Sequence, residues 1–317
     1  MTNQTSRPVS RLAPSPTGAL HLGNVRTFLI NRVLATQNGW RLPMRMEDLD
    51  GPRVKPESIT AIYDALAWLG IEWDGAPLTP TDDLSPYRDA MQRLAAAGRV
   101  YRCRRSRKDI QHAASAPQSP EHDVVFPIEL RPPDAPHATF DRDDVNYRCL
   151  VDDRAITVDD RIHGAYTDNL METIGDFIVW TKRGTPSYQL AVVVDDLRQG
   201  VTDVVRGDDL LPSAARQTAL YEALGHAPPT WWHVPLVLGE DGRRLAKRHG
   251  DTRITMYREA GVSVERLIGL LAAWSGIPGP RRPMTLDDFA RAFEIDRLPR
   301  GAVVFRQEDD AWLRASD

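Results

Sequence analysis

Residues 9–13 read as a short apolar strand that stops at Pro14-Ser15-Pro16-Thr17-Gly18, and a helical period begins at His21. Leu22, Val25, Leu29 and Val33 recur on one helical face, and Gly39 supplies a stop. A second strand over 41–46 and a second helix over 56–69, with Ile59, Ile62, Tyr63 and Leu66 as its apolar face, repeat the pattern. Strand, helix, strand and helix within 70 residues predict βαβ units on a parallel sheet, hence an α/β fold. The strand-to-helix turn also has chemical meaning. A helix N-terminus presents unpaired N–H groups and the positive end of a dipole, which suits a phosphate. His21 can donate to a phosphate oxygen, and Gly23 lets a flat base lie against the backbone. The four residues His21-Leu-Gly-Asn24 alone read better as turn punctuation, whereas the full run from Arg11 to Asn24 is far more specific.

The α/β rhythm is interrupted and then resumes. Residues 100–170 are proline-rich with no sustained period, and 113–136 read as loop, so this stretch is expected to be an insertion. Further on, 189–194 and 201–206 read as buried strands, and 213–224 as a helix closed by Gly225. From 262 the chain is mostly helical, with a Pro/Arg-rich break at 278–283. No repeat of fixed period is present.

Composition narrows the class. Of 317 residues, 42% are hydrophobic and 26% charged, which is ample for a globular core and excludes general disorder. The net charge of −4 gives no bulk electrostatic grip on nucleic acid, although a local basic patch remains compatible with it. The longest nearly apolar stretch, 267–274, is too short to span a bilayer, and the first residues have no apolar run, so neither membrane nor secretory leader is expected. Two cysteines, Cys103 and Cys149, exclude a disulfide scaffold and a four-cysteine metal site. The cytoplasm is the expected compartment.

A second basic element lies downstream, Gly242-Arg-Arg-Leu-Ala-Lys-Arg-His-Gly250. A glycine-bounded basic loop can fold over a triphosphate and bring a lysine to the reacting phosphate; read by itself, it is more readily a solvated turn.

Taken together, the two elements resemble the signatures of class I aminoacyl-tRNA synthetases. His21-Leu-Gly-Asn24 resembles the HIGH motif and Arg244-Leu-Ala-Lys-Arg248 the KMSKS motif. The runs RLAPSPTGALHLGN (11–24), RMEDLD (45–50), and the stretch from Tyr188 to Asp209 are similar to glutamyl-tRNA synthetase, over about residues 9–275. The resemblance implies a Rossmann-like parallel-sheet catalytic domain with an inserted α+β subdomain and a short helical C-terminal region. The expected division is 1–100 and 176–250 as the two catalytic halves, 101–175 as the insertion and 251–317 as the C-terminal region.

It also implies roles. Arg11 and Arg206 bind carboxylates of L-glutamate, with Ser15 and the Ala13 backbone adding hydrogen bonds, Glu47 facing the ammonium, and Tyr188 giving a hydroxyl and a ring wall. His21, Gly23, Asn24, Leu245 and Lys247 face ATP, and His21 and Lys247 carry the catalysis, with Mg²⁺ assisting. The bland alternatives are an Arg11–Glu47 structural ion pair, Tyr188 as core and Arg206 as a loop cap.

About 65 residues follow the lysine loop, too few for closing helices and an anticodon-reading domain together. On that ground, and on 261–272 and Leu298-Pro-Arg300, the chain resembles the shortened glutamyl-queuosine tRNA(Asp) synthetases. The expected partners are then L-glutamate, ATP and the tRNA(Asp) anticodon stem-loop, and a monomer is expected. The alternatives are a short synthetase that charges the tRNA 3′ end and a non-catalytic paralogue that only binds glutamate or adenylate. That family commonly holds zinc in the insertion. Here Cys103 survives, while Arg105, Phe126 and Leu130 stand at the other positions, so no structural zinc is expected; nothing in the spacing recruits His112 or His122. Arg102, Arg104, Arg105, Arg107 and Lys108 form a basic cluster that is either an RNA-phosphate contact or a solvated face.

Overall fold

A computed structural model describes residues 7–106, 109–110, 125–243, 245 and 252–315. The amino-terminal segment forms a parallel ladder with the strand β1 (Pro43–Arg45): the N–H groups of Ser10 and Leu12 donate to the carbonyls of Arg41 and Pro43 at 2.9 and 3.0 Å, and Arg45 N–H donates back to Leu12 at 2.8 Å. Between them runs α1 (Leu22–Asn38), which buries Leu22, Val25, Leu29 and Val33 as its period predicts and closes on Gly39, left-handed at φ +65°. Next, α2 (Pro56–Trp68) returns the chain to β2 (Asp74–Leu78), parallel to β1.

The chain then leaves this sheet. After α3 (Ser85–Ala96), the strands β3 (Val100–Cys103), β4 (Asn146–Cys149), β7 (Phe177–Thr181) and β8 (Thr185–Pro186) form an antiparallel sheet in that order. Within the stretch read as one insertion, the hairpin β5 (Ala155–Asp160) and β6 (Gly164–Asn169) behaves differently, since β5 pairs with β10 (Thr230–Val234) of the main sheet. Between β6 and β7 lies the single turn α4 (Leu170–Thr173). The main sheet resumes with α5 (Tyr188–Gln199), β9 (Asp203–Gly207), α6 (Leu211–Ala223) and β10, which is parallel to β9.

The Val9 carbonyl accepts from Thr202 and Asp203 N–H at 2.8 and 3.1 Å, joining the amino-terminal segment to β9. The spatial order is therefore β6, β5, β10, β9, the 8–12 segment, β1, β2. Strand order reverses between the 8–12 segment and β9, and an open α/β sheet binds ligands at that switch point, beyond the carboxyl ends of the strands.

Residues 189–194 depart from the sequence reading in type of element. They form helix α5 and not a strand. Leu190 to Asp196 are all buried, so the helix is covered on every side and its apolar run carries no 3.6-residue alternation. A continuous run of this kind does not distinguish a buried helix from a buried strand. The carboxyl-terminal part contains β11 (Val237–Leu238), α7 (Ile254–Glu259), α8 (Val264–Trp274), α9 (Leu286–Ala292), β12 (Val303–Val304) and α10 (Gln307–Arg314). Among the described residues no helix is long and apolar enough to cross a membrane.

The positions that the resemblance links to zinc have become apolar packing. Cys103 and Phe126 are buried with Tyr101, Ile110, Ala135 and Leu150, and Leu130 packs against them. The Arg148 guanidinium lies over the Phe126 ring at 4.1 Å and its Nε–H donates to Cys103 Sγ at 3.4 Å, so the surviving thiol already faces a cation. Arg105 is exposed, and among the described residues no group of three His, Cys, Asp or Glu side chains could hold a metal ion. His112, His122, Arg107 and Lys108 lie outside the described residues; Arg104 is exposed, and Arg102 donates to Tyr147. This donor set does not fit zinc. Metal analysis of the purified protein is expected to find well under one zinc per chain, and a chelator to leave its melting temperature unchanged. One zinc per chain would overturn this.

Candidate active site

A cleft of about 500 Å³ opens at the switch point. Arg11, Ala13, Ser15, His21, Gly23, Asn24, Glu47, Tyr188 and Arg206 all line it, although the sequence separates them by up to 195 positions. Ala13 and Ser15 follow the amino-terminal strand, Arg206 is the penultimate residue of β9, Glu47 follows β1, and His21 is the N-cap of α1. Leu245 does not line the cleft: it is core, and its N–H donates to Val237, a wall residue, at 3.4 Å. Lys247 lies outside the described residues.

One end of the cleft suits phosphate. The first turn of α1 opens into it, and Asn24 Oδ1 accepts from His21 N–H at 3.4 Å, which fixes the start of the helix. A Cβ at Gly23 would meet only the His21 ring at 3.4 Å and Val237 at 3.6 Å, both ordinary contacts. The fold tolerates a side chain there, so the missing Cβ serves the cleft and not the backbone. The flanks of the basic loop are tied to the same rim. Leu22 N–H donates to Thr252 at 3.2 Å and Ile254 N–H to Leu20 at 3.0 Å.

The other end holds three arginines in two different ways. Arg45 Nη1 donates to Asp196 Oδ1 at 2.7 Å, and its Nη2 to Glu47 at 3.2 Å. Arg11 Nε–H donates to the same Asp196 oxygen at 3.3 Å and its Nη1 to the Val205 carbonyl at 3.2 Å. Arg11 and Glu47 therefore do not form the ion pair of the bland alternative: Arg11 is paired with Asp196 and Glu47 with Arg45. Burial alone would lower the Arg45 pKa, but Asp196, Glu47 and Asp195 outweigh it and hold the guanidinium firmly charged. Tyr188 is 42% exposed, presenting its ring to the cleft rather than to the core.

Arg206 is only 5% exposed, yet among the described residues no carboxylate pairs with it. Its Nε–H donates to His233 Nε2 at 3.0 Å, Nη1 to Gln217 Oε1 at 2.7 Å and Nη2 to the Leu210 carbonyl at 3.2 Å. The guanidinium lies 4.8 Å from the Trp231 ring. All three acceptors are neutral, and burial lowers the Arg206 pKa. An isolated buried cation costs several kcal/mol, on the order of a broken buried pair. Three of the five guanidinium N–H groups are used, which leaves one on each terminal nitrogen for a planar anion.

His233 is buried at 0% exposure, and burial pushes its pKa down to about 4 against the opposing pull of Asp160. Its contribution to stability is full above the unfolded value of 6.5 and is lost as pH falls through the folded value. Chemical denaturation is expected to register a loss on the order of 3 kcal/mol between pH 6.5 and 4 from this residue. A His233→Gln variant should lack that segment of the curve; the same acid slope in both proteins would refute the assignment.

Sequence reasoning missed Arg45, Asp196, Gln217, His233 and Asp160. Arg45 opens the RMEDLD run two residues before Glu47, and a charged residue closing an apolar strand was the available signal. Asp196 was hidden by reading its helix as a strand. Gln217, His233 and Asp160 come from three other elements, and no local pattern marks them.

A family model described as tRNA synthetases class I (E and Q), catalytic domain, matches residues 9–312. The chain is 45% identical over 291 residues to the glutamyl-Q tRNA(Asp) synthetase of Rhodopirellula baltica, covering 86% of each protein. It is 35% identical to glutamate–tRNA ligase 2 of Halorhodospira halophila, covering 96% of this chain and 64% of that one. The crystal structure of a glutamate tRNA ligase from Elizabethkingia meningosepticum in complex with its amino acid superposes with a TM-score of 0.79 at 25% identity, over 97% of this chain and 69% of that one.

Proposed function

The chain belongs to the class I tRNA synthetases of the glutamate and glutamine type, and from that premise we propose that it activates L-glutamate with ATP and transfers the glutamyl group to the queuosine of the tRNA(Asp) anticodon. The observation that carries the glutamate reading is Arg206, a buried cation held only by neutral acceptors with two N–H groups to spare. It suits the side-chain carboxylate. Glu47, at the same end, suits the ammonium, and Arg11 with Ser15 and the Ala13 backbone completes the cradle. The α1 N-terminus with His21, Gly23 and Asn24 suits ATP, and Lys247 and Leu245 of the basic element are assigned to ATP on the resemblance, with Lys247 acting on charge at the α-phosphate. The two catalytic halves (1–100 and 176–250), the insertion (101–175, apart from the hairpin β5–β6, which joins the main sheet) and the C-terminal region (251–317) are part of this reading, as is a monomer working in the cytoplasm.

An α-carboxylate oxygen of glutamate attacks the α-phosphorus of ATP. The bond to the bridging oxygen breaks, pyrophosphate leaves, and glutamyl-adenylate remains. A hydroxyl oxygen of the RNA then attacks the carbonyl carbon and AMP departs, with the hydroxyl proton passing to solvent or phosphate. Mg²⁺ accompanies ATP and neutralises phosphate charge. The chain contributes positioning and preorganised charge.

The acceptor rests on similarity: identity is 45% to the glutamyl-Q relative against 35% to the glutamate–tRNA ligase. The second reading, charging of the tRNA 3′ end, rests on the 35% identity to the glutamate–tRNA ligase, of whose length this chain covers 64%. Labelled glutamate separates them. The expected results are pyrophosphate exchange without tRNA and label on a queuosine-containing tRNA(Asp) anticodon stem-loop, with none on the same stem-loop carrying guanosine. Label on the 3′-terminal adenosine of tRNA(Glu) would favour the second reading. Exchange lacking altogether, with and without tRNA, would leave the non-catalytic paralogue.

A further inference from the structure

We propose that Asp160 and His233 are positioning residues that hold Arg206 charged and aimed, by locking the His233 ring in one neutral tautomer. The inference rests on the reading of Arg206 as the receptor for the substrate's side-chain carboxylate. Sheet register lines up the three residues. Asp160 closes β5 and pairs with Trp231 of β10, while His233 of β10 pairs directly with Arg206 of β9. The residues lie 73 and 27 positions apart in sequence, yet they form one hydrogen-bonded row across three strands.

The protons in this row are fixed by chemistry. Arg206 Nε–H can only donate, so His233 Nε2, 3.0 Å away, must be the acceptor. A neutral imidazole with an accepting Nε2 carries its proton on Nδ1, which faces Asp160 Oδ2 at 2.7 Å. The carboxylate therefore selects the tautomer. Asp160 is itself anchored: Oδ1 accepts from the N–H groups of Ile162 and His163 at 2.9 and 2.8 Å, and Oδ2 from His233 N–H at 3.1 Å. Burial would raise its pKa, but the His233 ring and the backbone donors outweigh that and keep it ionised.

This arrangement differs from the one around Arg11. There a carboxylate, Asp196, contacts the guanidinium directly and spends part of its charge. Behind Arg206 the anion is set back by one imidazole ring. The arginine gains a fixed acceptor but no neutralising partner, so its charge remains for the substrate. Trp231 supports both members, stacking on His233 with ring centroids 6.0 Å apart and facing the Arg206 guanidinium.

The test uses the full chain, with L-glutamate binding read by calorimetry and glutamate-dependent ATP–pyrophosphate exchange read in parallel. Asp160→Asn turns one carboxylate oxygen into an amide donor. Facing Nδ1, it moves the ring proton to Nε2, against Arg206 Nε–H. Glutamate Kd and KM are expected to rise tenfold or more, kcat to change less than threefold, and discrimination against glutamine to fall. His233→Leu should do the same. His233→Gln, whose Oε1 accepts from Arg206 without a tautomer to set, should stay within about threefold of wild type. In the His233→Gln background Asp160→Asn should then cost little, an outcome that loss of packing alone would not produce. Wild-type glutamate affinity in both Asp160→Asn and His233→Leu, or an equal cost of Asp160→Asn in either background, would overturn the relay while leaving the function intact. Wild-type affinity in Arg206→Ala would overturn the reading of Arg206 and the relay together.

Discussion

Arg206→Ala is expected to lower kcat/KM for glutamate in pyrophosphate exchange by roughly 10²–10³-fold or more, mainly through KM. Removing one partner of a buried charge pair costs about 3–5 kcal/mol, because the carboxylate that remains is desolvated and unpaired, and about 1.4 kcal/mol corresponds to tenfold. The loss should fall on the ligand and spare the fold. In the free protein Arg206 has no anion to lose, only three neutral acceptors. The melting temperature without glutamate should therefore move little, whereas the rise on adding glutamate should vanish. Arg206→Lys should not restore affinity, because an ammonium cannot fill the Gln217, Leu210 and His233 contacts and still offer a two-pronged face. If Arg206→Ala binds glutamate normally and still refuses glutamine, Arg11 reads the side chain instead, despite its existing pair with Asp196.

The parts of this site that were legible in the sequence share a physical character. The turn from Arg11 to Asn24 joins a strand to a helix, and such junctions are written in consecutive residues: Pro and Gly punctuation, an N-cap, then a one-sided apolar period ending at Gly39. Helix α1 was readable because one face is core and the other is not. Helix α5 was unreadable for the opposite reason, being covered all round from Leu190 to Asp196. That error hid Asp196, the anion that holds Arg11 and Arg45. The Asp160–His233–Arg206 row is invisible to any local reading, since it is assembled by strand order and register across β5, β10 and β9. Resemblance supplied the residues that line the cleft, because motif matching finds positions that face a ligand. Those residues do not report what stands behind them. The contrast between Arg11, neutralised by a carboxylate, and Arg206, held by neutral groups, required coordinates.

The same division predicts a different kinetic signature for Lys247. Lys247→Ala is expected to reduce kcat of glutamate-dependent exchange by roughly 10²–10³-fold, about 3–4 kcal/mol for one preorganised donor acting on developing charge, while glutamate Kd stays within about twofold. The reason is where the two residues act. Arg206 lines the cleft with Glu47 and Tyr188; on the proposed reading it pairs with a carboxylate already charged in the ground state, so its loss should raise KM. The lysine belongs to the basic loop, whose flanks meet the other end: Leu245 N–H is bonded to Val237, and Thr252 accepts from Leu22 in the first turn of α1. Charge accumulates on the α-phosphate and the departing pyrophosphate only as the bond breaks, so a cation there lowers the barrier more than it strengthens binding. The pair of variants thus separates reading of the amino acid from stabilisation of the transition state. An unchanged exchange rate in Lys247→Ala, or a loss that appears in glutamate Kd instead of kcat, would remove the lysine from the chemical step and assign the phosphate charge to the α1 N-terminus and His21.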